Sequence, residues 1–76
     1  ALAQVSGYSE KVYSTHNMTR EEILNASKHD AINNAINKGA DKQTIEIIDV
    51  EEIPLSYLPS NAITVKTKAV GNISNN

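Results

Sequence analysis

Along residues 62–70 the side chains alternate: Ile63, Val65, Thr67 and Ala69 point one way, Thr64, Lys66 and Lys68 the other. A period of two with a single wet face predicts an antiparallel strand. Residues 44–53 also predict a strand, but the alternation slips. Ile45 and Ile47 share one face, Ile48 and Val50 the other, so the phase changes between Ile47 and Ile48. Either a β-bulge or a strand covered on both faces accounts for that slip. Residues 8–15, with Tyr8 and Val12 on one side and Tyr13 on the other, read as a third, half-buried strand.

Between the strands at 8–15 and 44–53 the period changes to that of a helix. Thr19 is a favourable N-cap and Glu22 stands three residues later, which is the spacing of a capping box. Met18 and Ile23 bracket that box as a hydrophobic staple. At about 100° per residue, Ile23, Leu24, Ser27, Ala31, Ala35 and the stem of Lys28 fall on one side, with Ile32 and Ile36 at its margin. Most of that face is small, so the helix axis can lie close to a sheet. Gly39 ends the helix, because glycine takes the left-handed conformation without a Cβ penalty, and Ala40 covers the last turn.

Residues 1–7 read differently. Ala1-Leu2-Ala3-Gln4-Val5-Ser6 is a good helix-forming run and Gly7 a plausible terminator, so the expectation is the end of a preceding helix. The absence of an initiator methionine at Ala1 points the same way, to a piece of a longer protein. The predicted organisation is thus a helix end over 1–7, a single βαββ domain over 8–71 and a frayed polar tail over 72–76. The fold class is α+β: a three-stranded, mainly antiparallel sheet with one helix on one face.

Composition narrows the functions open to such a domain. With 76 residues and no cysteine, it has neither a disulfide framework nor a thiolate metal site. A domain of this size buries only about 60% of the surface its unfolded chain exposes, so a tight core or a neighbouring surface must hold it. The formal charge of -2 argues against nucleic acid, which needs clustered Lys and Arg. No apolar tract is long enough to span a membrane. No signal peptide is visible, and the expected location is cytoplasmic.

Candidate chemistry is sparse. Glu46, Asp49, Glu51 and Glu52 could invite a hard cation, but along a strand they diverge to opposite faces, and Lys66 and Lys68 stand ready as cross-strand partners. His16 and His29 lie at no metal-binding spacing, and no nucleophile elbow or glycine-rich phosphate loop is present. Asn17-Met18-Thr19, Asn25-Ala26-Ser27 and Asn72-Ile73-Ser74 match the glycosylation acceptor pattern, in a chain so rich in Asn that chance accounts for them. No residue is assigned to catalysis, to a cofactor or to a metal. The residues that stand out are apolar ones without an evident place in a small core: Ile48 and Val50 on the second face of the middle strand, and Tyr57 and Leu58 in the loop between Pro54 and Pro59. These four are the candidate docking residues.

Five phrases in order carry a family resemblance: Ala-Gln-Val-Ser-Gly (3–7), Thr-Arg-Glu-Glu-Ile-Leu (19–24), Gly-Ala-Asp (39–41), the run 45–59 with Glu-Glu-Ile-Pro-Leu-Ser-Tyr-Leu-Pro at its end, and Lys-Ala-Val-Gly (68–71). Together they resemble the C-terminal part of hydantoinase A-type proteins of the hydantoinase/oxoprolinase family. The most specific piece runs from Glu51 to Ala62, and members often carry Gly where this chain has Ser60. The resemblance implies a large, bacterial, actin-like-fold parent that hydrolyses cyclic amides such as hydantoins or 5-oxoproline with ATP, and with a divalent metal. Its relatives include subunits of ketone carboxylases. No nucleotide or catalytic motif of the family matches within these 76 residues, so this segment is expected to be an accessory domain without a cofactor of its own. Its expected partners are the rest of the parent chain, a sister subunit or further copies of itself. The competing expectation is an independent small protein-interaction module.

Overall fold

The protein is described from a computed structural model, which covers residues 3–54 and 61–73. Strand β1 (Gln4–Ser14) is followed by helix α1 (Arg20–Asn37), a single 3-10 turn (Lys42–Thr44), strand β2 (Glu46–Pro54) and strand β3 (Ala62–Asn72). The three strands form one antiparallel sheet in the order β1-β3-β2, with β3 in the centre. The helix packs on one face of it. This is the α+β, βαββ architecture that the alternations and the capping signals predict.

The helix begins and ends as its sequence dictates. The Thr19 hydroxyl accepts from the Glu22 amide at 3.1 Å, and the Glu22 carboxylate accepts from the Thr19 amide at 2.9 Å. At the other end Gly39 takes φ +103°. Its amide donates to Ile36 O at 2.9 Å and the Ala40 amide to Ala35 O at 3.1 Å, the paired bonds of a Schellman motif. Ala40 is then buried as the apolar cover of the last turn.

Of the residues 1–7 expected to end a helix, 1 and 2 lie outside the described residues and 4–7 are strand. Gln4 to Gly7 continue β1 and pair with Asn72, Gly71, Val70 and Ala69. Local helix propensity is a weak preference, and the long ladder offered by β3 overrides it. Gly7 is no terminator. A Cβ there would run into Ala31 O and Ala35 N, so the glycine is where helix and strand backbones meet. Of the tail expected over 72–76, Asn72 closes β3, and Ile73 donates to Ala3 O at 2.9 Å and bridges to Ala40, while 74–76 lie outside the described residues.

The middle strand starts later than its β-branched residues suggest. Asp41 caps the 3-10 turn, its side chain accepting from the Gln43 amide, and the Thr44 hydroxyl donates to Asp41 O at 2.7 Å while accepting from the Asn72 amide at 2.8 Å. Thr44 therefore fastens the turn to β3, and β2 begins at Glu46. The register then slips between Ile47 and Asp49, which selects the bulge of the two readings left open. One consequence reverses the facial assignment. After the bulge, Ile47 (opposite Ala69) and Val50 (opposite Thr67) share the helix side, and Ile48 is turned out, 54% exposed.

The core lies between α1 and the facing residues of β1 and β3, and it is built of small side chains. Ile23, Ala31, Ala35, Ala40, Val65 and Ala69 are its buried apolar members, beside Ser9, Ser27 and Thr67. The Ser27 and Thr67 hydroxyls satisfy each other at 2.6 Å. Small side chains bring the helix close to β1 and β3, but they bury little apolar area each.

Candidate docking surface

The helix is held over β1 by a polar stripe at a spacing of four residues. Asp30 accepts from the Ser9 hydroxyl at 2.7 Å and pairs with Lys11 at 3.3 Å. Asn34 donates to Tyr8 O at 2.6 Å, and Lys38 to Ser6 O at 2.9 Å. The Ser9 hydrogen bond, against some desolvation and helped by Lys11, holds the Asp30 carboxyl below the usual carboxylate range. A carboxylate so stabilised is a weak general base, so Ser9 and Asp30 form a structural clasp rather than a nucleophile and its activator.

The sheet's other face sets lysines among carboxylates, beside the exposed Tyr8, Val12 and Ile48. Lys68 lies between Tyr8 and Asp49, and Lys66 between Glu10 and Glu51, in the cross-strand rows of the sheet. The Tyr8 ring has the Lys68 and Lys38 ammonium groups 5.5 and 5.6 Å from its centroid. Its phenol is held below its ordinary value, first by a hydrogen bond with Ser6 and then by Lys68. The acidic group of β2 thus divides. Glu46, Asp49 and Glu51 belong to the open face, while Glu52 turns to the helix side and accepts both a 3.0 Å and a 2.7 Å bond from Arg20. Among the described residues no three acidic or histidine side chains converge as a metal site, and His16 and His29 are exposed.

What the arrangement leaves uncovered is β2. Packing of α1 is against β1 and β3, so Ile47 and Val50, though on the helix side, stay half-buried. On the same flank of the helix, Leu24, Lys28 and Ile32 are half-buried as well. Ile48, on the bulge, borders a shallow depression of about 520 Å³ on the open face, with Ser6, Glu46, Lys68, Val70 and Asn72. A second depression of about 300 Å³ lies at the start of the helix, between Met18, Ile23, Glu52 and Ile63. Of the four candidate docking residues, Ile48 and Val50 lie on β2 on opposite faces; Tyr57 and Leu58 lie outside the described residues.

Two features escaped the sequence reading. The Asp30, Asn34 and Lys38 stripe was detectable as three polar residues four apart, but only the position of β1 under that flank gives it partners. The open flank of β2 depends on which strands the helix crosses, and no periodicity reports that.

The fold and surface define a small βαββ domain with a single helix, no assembled catalytic group among the described residues and one incompletely covered strand. No helix among them is long and apolar enough to cross a membrane. No protein-family model, curated protein or solved structure matches the chain.

Proposed function

We propose that this chain is a C-terminal accessory domain of a hydantoinase/oxoprolinase-like, ATP-dependent cyclic-amide hydrolase, and that its own task is to dock on the rest of that parent chain. The observation that carries the docking role is the position of α1: it covers β1 and β3 and leaves Ile47 and Val50 of β2 half-covered. A core made largely of Ala, Ser and Thr gives little stability to spare, and burial of Ile47, Ile48 and Val50 against a neighbour would add to it. The family assignment rests on the ordered phrases from Ala3 to Gly71, above all Glu51 to Ala62. ATP and any divalent metal belong to the parent, where the chemistry resides.

The coding sequence upstream of Ala1 tests the assignment at once. Several hundred preceding codons for an actin-like nucleotide-binding fold are expected. A reading frame confined to this segment would refute the assignment and leave an independent protein-interaction module.

A further inference from the structure

The two edges of the sheet are treated differently. The bonds Ile73 N to Ala3 O and Thr15 N to Asn61 O extend the β1–β3 register, and they place the hydrogen-bonded pairs of that ladder on the odd-numbered residues. Even-numbered residues of β1 therefore turn their amides and carbonyls outward. There Asn34 and Lys38 take up Tyr8 O and Ser6 O, so the helix itself blunts this edge. The same alternation makes the even-numbered residues of β3 bond to β2 and leaves the backbone groups of Val50 and Glu52 pointing away from the sheet. Among the described residues nothing caps them.

The side chains beside that edge specify what would pair with it. On the open face Asp49 and Glu51 have Lys68 and Lys66 on one side only, and those lysines also face Tyr8 and Glu10 across β1. On the helix side Ile47 and Val50 are only half-covered. Residues 46–54 hold four carboxylates and no basic residue.

We propose that the β2 edge accepts a fourth strand whose residues alternate between basic and β-branched apolar. Its Lys or Arg side chains lie beside Asp49 and Glu51, and its apolar ones close over Ile47 and Val50. A second copy of this chain is a poor occupant, since a two-fold β2–β2 pairing sets carboxylates against carboxylates. The proposal deepens the docking reading and rests on it only for there being a partner.

The probe is a short peptide alternating lysine with valine, titrated into the isotope-labelled 76-residue chain by NMR. Shifts centred on residues 47–53 are expected, with slowed exchange of the Val50 and Glu52 amides. Asp49→Lys with Glu51→Lys should weaken binding about tenfold, and Val50→Pro, which removes an outward donor, should abolish the protection. Equal binding of a glutamate–valine peptide, shifts centred on β1 or the open face, no binding at all, or a β2-mediated dimer in sedimentation would each overturn the proposal. If the peptide fails while Ile48→Glu still releases this domain from the full-length protein, the edge inference falls and the docking reading stands.

Discussion

Two glycines show how differently a single residue can be constrained. Gly39 needs its positive φ, yet a Cβ there would meet nothing within 4 Å. Gly7 has no such φ, but a Cβ there would overlap helix backbone and lie 2.9 Å from Ala35 Cα. Gly39→Ala should therefore cost about 1–2 kcal/mol through backbone strain alone. Gly7→Ala must push the helix off β1, at about 1–3 kcal/mol or more. Urea midpoints of the two variants check this. The expected order is Gly7→Ala below Gly39→Ala below the unsubstituted chain, and Gly7→Ala should also loosen the Asn34 and Lys38 contacts. Only one of these roles was legible in the sequence. Gly39 follows a capped helical run, whereas Gly7 follows Ala-Gln-Val-Ser, whose local preference is set aside by pairing with β3 near the other end of the chain.

Among elements, α1 and β3 were the most legible because their signals are local. Thr19 with Glu22, Gly39 with Ala40, and the unbroken alternation from Ile63 to Ala69 each act within one or two turns or one strand. The phase slip in β2 was visible as well, but its resolution was not, because a bulge is defined against the partner strand. The clasp between α1 and β1 lies at the same scale. Asp30 has a folded-state pKa below its unfolded value, about 3.9 for a free Asp, so its contribution is fully present above that value. It disappears as the pH falls through the folded-state pKa. Glu22, lowered by the Thr19 amide and hydroxyl, and Glu52, lowered by Arg20, act in the same direction. Stability should thus fall on acidification through the carboxylate range. Asp30→Asn should be less stable than the unsubstituted chain at neutral pH and lose less on acidification. Thermal melts across that range would reveal it, and parallel curves for the two proteins would contradict the clasp.

For the whole molecule the governing fact is the mismatch between one helix and three strands. A single helix with a small-residue face packs closely on two strands, and the third is left with Ile47 and Val50 half-covered on its helix side and Asp49 and Glu51 on the other. The candidate surface was partly legible for that reason. Ile48 and Val50 stand out as surplus apolar residues in the sequence, but their placement on opposite faces follows from the bulge, and the vacant flank follows from where α1 crosses. The proposed docking on a larger parent and the proposed addition of a basic strand at β2 both answer the same deficit.

Amide hydrogen exchange in β2, compared between the 76-residue chain and the longer parent protein proposed for it, tests this account most directly. The outward amides of Val50 and Glu52 should exchange readily in the chain alone and become strongly protected in the full-length protein, while those of β3 change little. Unaltered exchange across residues 46–54 in the full-length protein would contradict docking through this strand.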